Sequence, residues 1–126
     1  MTIERRKYVR FLAKNNLFAA LRNGFKKVGK IDDISINGLG FSYLSKIAEV
    51  DSTDHHTQVD IFSVGNGFHL TNVPCRIVYE IPDTTPDESF LVQTFRCGLQ
   101  FGELTRSQLG QMELFIENYT TGILDA

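Results

Sequence analysis

Along most of this chain, hydrophobic and polar residues alternate with a period of two, and only the last stretch shifts to about 3.6. Leu17-Phe18-Ala19-Ala20-Leu21-Arg22 reads as a strand, and Asn23-Gly24 is a strong hairpin signal. Phe25 to Asp33 forms the returning strand, with Gly29 as a candidate bulge. Ile34-Ser35-Ile36 prolongs it, and Asn37-Gly38 turns the chain. Leu39, Phe41 and Tyr43 then alternate with Gly40, Ser42 and Leu44. Val59 and Ile61 share a face with Ser63 in phase, and Gly65-Asn66-Gly67 marks another tight turn. The clearest alternation runs from Phe68 to Ile81. It predicts Val73, Cys75, Ile77, Tyr79 and Ile81 on one face and Pro74, Arg76, Val78 and Glu80 on the other. Pro74 lacks a ladder donor, so this strand is expected to meet an edge or a bulge there. Leu91, Phe95, Cys97, Leu99 and Phe101 share the buried face of a last long strand, with Gln93 out of character on it.

From Thr105 the pattern predicts a helix with Leu109, Met112, Phe115, Ile116 and Tyr119 on its apolar face. Thr105 followed by Gln108 is a capping-box signature, and Gly122 suits the helix end. The sum is a mainly β, antiparallel barrel of six to seven strands with a C-terminal amphipathic α-helix. The expected boundaries within a single domain of 126 residues are an arm over 1–11, a barrel over 15–103 and a helix over 105–121. Polar, acidic loops are expected over 45–57 and 82–89.

Charge changes this picture. Residues 1–30 carry nine basic side chains against the single acid Glu4, a net of +8, and the remainder carries four basic and fourteen acidic ones, a net of −10. An anionic partner at the N-terminal end would suit that split, and so would solvated faces whose charges average out on folding. No apolar run is long enough to span a membrane and the N-terminus lacks a secretory core, so membrane insertion is not expected and the location is expected to be cytoplasmic. Cys75 and Cys97 fall on apolar strand phases and read as buried, reduced thiols. His55-His56 lies in a polar loop and His69 is isolated, so no metal site is expected. Ser35 has no histidine partner in any motif, and no acid–base couple stands out, so no catalytic residue is assigned.

Two stretches carry chemistry. The first holds Arg5, Arg6 and Arg10. Guanidinium forks match phosphate oxygens and the O6/N7 edge of guanine, and they stack on aromatic planes. Arg6 and Arg10 fall on one side of either a helical turn or an extended arm. The second stretch holds Asp33, Ser35 and Gly38. A carboxylate accepts from guanine N1–H and N2–H, Ser35 shares the strand face of Asp33, and glycine at 38 permits a positive φ and a close approach. Each stretch also has a plain reading, a solvated basic tail and a self-stabilised turn.

Taken together, Arg6-x-x-x-Arg10 and Asp33-x-Ser35-x-x-Gly38 resemble the bipartite signature of PilZ domains, receptors for the bacterial second messenger cyclic di-GMP. The late strand Cys97-Gly98-Leu99-Gln100-Phe101 and the helix after Leu104-Thr105 extend the resemblance over nearly the whole chain. It implies a non-enzymatic receptor with cyclic di-GMP as ligand and no metal. By carry-over, Arg6 and Arg10 would meet phosphates and guanine faces, Asp33 and Ser35 a guanine edge, and Gly38 would leave room. Arg5, just before the first motif, is similar to residues associated with a stacked ligand pair. The arm lies so near Met1 that output is expected to pass through a partner protein, whose identity the sequence does not give, or through the arm and barrel surface themselves. The alternative is a PilZ-like interaction adaptor with weak or no nucleotide binding. A nucleic-acid polymer is not expected as partner, since the acidic remainder would repel it.

Overall fold

A computed structural model of the chain describes residues 9–14, 16–22, 27–46, 56–65, 67–83 and 92–123. Its elements are β1 (Phe11–Ala13), β2 (Leu17–Leu21), β3 (Val28–Ile34), β4 (Gly38–Lys46), β5 (His56–Ser63), β6 (His69–Pro82), β7 (Val92–Phe101), α1 (Arg106–Tyr119) and β8 (Thr120–Ile123). The Asn23-Gly24 turn, most of the acidic loop at 45–57 and most of the segment at 82–89 lie outside the described residues, as do Arg5 and Arg6.

All strand pairs are antiparallel. Strands β2, β5, β6, β7, β4 and β3 lie side by side in that order, and β3 pairs again with β2. The barrel therefore closes on six strands, leaving no open edge within it. One edge of β3 is shared. Its first half pairs with β2, Ala20 opposite Val28 and Phe18 opposite Lys30. Its second half pairs with β1, Leu12 opposite Asp33 and Phe11 opposite Ile34. Strand β8 then pairs with the far side of β1. These two short strands are not evident from the alternation. Gly122, expected at the helix end, instead lies in β8 opposite Leu12, and Thr120 caps the helix. Three- and four-residue strands are too short to show a period.

The core follows the strand phases. Leu17, Leu21, Ile31, Ile34, Leu39, Phe41, Val59, Ile61 and Val73 are fully buried, as are Met112 and Phe115 from α1. The helix starts as its sequence indicates. Thr105 accepts from Gln108 N–H, and the Gln108 side chain accepts from Thr105 N–H. Such a cap contributes about 1 kcal/mol. The Gln108 amide also donates to the Asn72 carbonyl, and the Phe115 ring packs on Phe68 at 4.6 Å, which seats α1 against the start of β6. Leu109, expected on the buried face, is exposed.

Bulges decide where the charged residues point. Gly29 is not the bulge of β3. A Cβ there would stand 1.6 Å from the Ser42 carbonyl oxygen, so glycine serves close strand contact. The register slips instead between Ile31 and Asp33. A second slip on β6, between Ile77 and Tyr79, overturns the single face expected from Val73 to Ile81. One extra residue inverts the side-chain phase. Ile81 therefore faces solvent and Glu80 turns inward. Pro74 does sit where pairing with β7 runs out: its carbonyl accepts from Gly102 N–H just past the end of β7.

Inside the barrel, Glu80 meets two buried partners. Lys27 Nζ stands 2.8 Å from Glu80 Oε2 and 5.8 Å from the centre of the Tyr43 ring. The Tyr43 hydroxyl donates to the same oxygen. Burial, reinforced by Glu80, holds the Tyr43 hydroxyl well above the usual phenol range. The ammonium is in ion-pair contact, but its protons find no well-aligned acceptor. Cys75 and Cys97 are free and buried, and burial pushes both thiols up to about 12.

Candidate ligand-binding face

The slip in β3 gives Asp33 its orientation. Ile34, Leu39, Leu99 and Ile77 form one inward row across β3, β4, β7 and β6. The next row holds Asp33, Gly40, Gly98 and Tyr79, and alternation turns it outward. Two of its four members are glycines, so the others lie flat on the sheet. A Cβ on Gly40 would stand 3.2 Å from Asp33 Oδ2, and one on Gly98 would stand 2.2 Å from the Tyr79 ring. Asp33 is consequently only 2% exposed although it is on the outer face.

A carboxylate this shielded from water requires cations or donors. Arg10 Nη1 donates to Asp33 Oδ1 at 3.0 Å. Arg96, from β7, places Nη2 at 3.6 Å from Asp33 Oδ2. Among the described residues, two guanidiniums thus share this one carboxylate. The half-buried Tyr79 ring supplies an aromatic surface beside them.

Ser35 and Gly38 build the adjoining turn. Strand β3 ends at Ile34 rather than running on through Ile36. Ser35 N–H donates to the Gly38 carbonyl at 2.8 Å, and Ser35 Oγ accepts from the backbone N–H groups of Asn37 and Gly38. This is a turn closed by its own hydroxyl. Gly38 does not use left-handed backbone; among the described glycines only Gly65 and Gly67 have positive φ. Its need for glycine is packing. A Cβ at 38 would fall 2.1 Å from the Leu99 carbonyl oxygen. The Asn37 carbonyl accepts from Phe101 N–H at 2.7 Å and pins the turn to the end of β7.

Of the six residues singled out in the sequence, the structure brings Arg10 and Asp33 into contact and sets Ser35 and Gly38 in the turn beside them. Arg5 and Arg6 lie outside the described residues. Sequence reasoning passed over Arg96, Gly40, Gly98 and Tyr79. Gly40 and Gly98 did carry a signal, since glycine at two outward strand positions asks what lies on them.

Among the described residues no group of three histidine, cysteine or acidic side chains is placed to hold a metal ion. Nor is any helix among them long and apolar enough to cross a membrane.

The fold is shared with solved structures. The PilZ domain of YcgR from Escherichia coli, solved with c-di-GMP, superposes with a TM-score of 0.69 at 14% identity, covering 92% of each chain. YcgR from Escherichia coli in complex with c-di-GMP gives 0.65 at 16% identity, covering 91% of this chain and 46% of that one. MrkH of K. pneumonia in its apo state gives 0.62 at 14% identity, covering 94% of this chain and 50% of that one. The chain thus spans about half the length of those last two proteins. No curated protein sequence matches it significantly. The PilZ domain family model matches residues 4–118, and with the closed barrel, the helix and the Asp33 turn in place, the chain belongs to the PilZ domain family.

Proposed function

We propose that this chain is a non-enzymatic cytoplasmic receptor for cyclic di-GMP, binding it through Arg5, Arg6, Arg10, Asp33, Ser35 and Gly38 and relaying the event to a protein partner as its N-terminal arm becomes ordered. The observation that carries the reading is the contact between Arg10 and Asp33. Residues 23 positions apart, one from each half of the motif, meet on one carboxylate. Membership of the PilZ family and the likeness to a YcgR domain solved with c-di-GMP support the choice of ligand. The chemistry agrees. A cyclic dinucleotide of guanine offers phosphates to guanidiniums and a guanine edge to a carboxylate. Ser35 acts here mainly by shaping the turn, and Gly38 by letting β4 and β7 approach.

Titration calorimetry with cyclic di-GMP tests the reading. Heat should appear at micromolar protein, and its complete absence there defeats the proposal. Arg5 motivates a ratio of two ligands per chain; a clean ratio of one would remove the stacked-pair part alone. A second reading, an adaptor with weak or no nucleotide binding, draws on the fact that Ser35 and Gly38 both have sufficient structural roles without a ligand.

A further inference from the structure

We infer that Arg96 is a further ligand-binding residue, a phosphate-facing cation parked on Asp33 until the ligand takes that carboxylate. The inference rests on the cyclic di-GMP reading above and adds a residue from β7 to its site.

Among the described residues two guanidiniums reach Asp33, Arg10 on Oδ1 and Arg96 on Oδ2. The two contacts differ in kind. Arg10 makes a hydrogen bond of 3.0 Å, whereas Arg96 stands at 3.6 Å, in ion-pair contact only. The Arg96 side chain is 40% exposed, against 2% for Asp33. Among the described residues Asp33 is its only acidic partner; the neighbouring Ser42 hydroxyl is committed to Asp32 at 2.7 Å. Arg96 is therefore loosely held, accessible and free to turn.

A guanine edge binding Asp33 would use both carboxylate oxygens, since N1–H and N2–H are parallel donors. Each guanidinium then loses its counter-ion at the moment a ligand phosphate arrives. A cation on an exposed strand face regains a partner most directly by turning to that phosphate. Gly40 and Gly98 carry no side chains, so Asp33 and the Tyr79 ring lie directly on the strands that carry Arg96 and its neighbours. The pairing of β7 with β4 fixes the Arg96 backbone, so this fourth fork turns from a set position on the strand.

The sign of the effect separates this role from a merely structural one. A residue that only neutralised Asp33 would compete with the ligand, and its removal would tighten binding. A residue that transfers to phosphate would weaken binding when removed and would reduce its salt dependence. The experiment is calorimetry with cyclic di-GMP on wild type, Arg96→Ala and Arg96→Lys across a salt series, with thermal melts confirming that each variant folds. Arg96→Ala should weaken binding about 10- to 100-fold and flatten the salt dependence, with Arg96→Lys between it and wild type, because lysine keeps the charge and loses the fork. Wild-type binding with unchanged or tighter affinity in Arg96→Ala overturns the inference and leaves the receptor reading standing. Absence of binding by wild type overturns both.

Discussion

Two carboxylates sit on opposite sides of one barrel wall, and each owes its direction to a one-residue slip in register. Asp33 follows the slip in β3 and faces outward; Glu80 follows the slip in β6 and faces inward. Each has a cation against it. Around Glu80 the set is closed: one ammonium, one phenol, all within the barrel. Around Asp33 it is open: among the described residues two guanidiniums reach it, both more accessible than the carboxylate. An ion pair that balances within the fold is scaffolding. An ion pair whose cations are accessible at the surface can exchange partners, and a ligand can take one.

The sharpest way to break this contrast is to cut the closed pair. Glu80→Ala leaves the Lys27 ammonium buried without a counter-ion. Breaking such a pair costs about 3–5 kcal/mol. Denaturant unfolding should show that loss, while cyclic di-GMP affinity, measured well below the unfolding transition, stays within about threefold. Loss of ligand binding from the folded variant would erase the distinction drawn here. The apolar replacement sharpens it. Lys27→Met, Tyr43→Phe and Glu80→Leu together remove every polar group of the cluster, and most of the lost stability should return.

The open pair should answer in the opposite way. Arg10→Ala or Asp33→Ala is expected to lower ligand affinity at least about 100-fold, or about 2.8 kcal/mol. Stability should fall less for Arg10→Ala than for Glu80→Ala, because Arg96 still faces the buried Asp33 carboxylate. Calorimetry and a thermal melt on the same sample separate the two effects. A variant that melts far earlier yet binds normally would reverse the assignment of scaffold and site.

Much of this was legible in the chain. Long strands such as β6 and β7 declare themselves by alternation, and Thr105 with Gln108 marks the helix start. The half-motifs around Arg10 and Asp33 were visible as chemistry. Bulges were not, because an extra residue looks like noise in a period of two. Yet a trace remains in hindsight. Ile31-Asp32-Asp33-Ile34 puts two acids between two buried isoleucines, and Glu80 stands where an inward phase resumes after Val78. Arg96 was hidden for another reason. Between Phe95 and Cys97 it reads as an ordinary outward polar position, and only the cross-strand rows place it near Asp33.

A third carboxylate lies between the two extremes and gives the smallest effect. Asp60 stands opposite another register slip, where Asn72 adopts a φ of 56° and donates its N–H to Asp60 Oδ1 at 3.0 Å. Arg22 grips both oxygens, at 3.0 and 3.1 Å. Burial works to raise this carboxyl, but the Arg22 hydrogen bonds, then the Asn72 N–H and the charges of Arg22 and His69, outweigh it and hold it below its ordinary value. Its folded form thus loses a proton more readily than its unfolded form. The resulting stability is fully present above the unfolded value of about 3.9 and is lost as pH falls through the lower folded value. Because Arg22 is substantially exposed, the contribution should be under about 1 kcal/mol. Denaturant midpoints followed from neutral pH down to about pH 3 should show a shallower decline in Asp60→Asn than in wild type, since asparagine has no proton to gain. Equal slopes would place Asp60 with the purely geometric features of the bulge. A difference as large as that of Glu80→Ala would place it with the closed, buried pair instead.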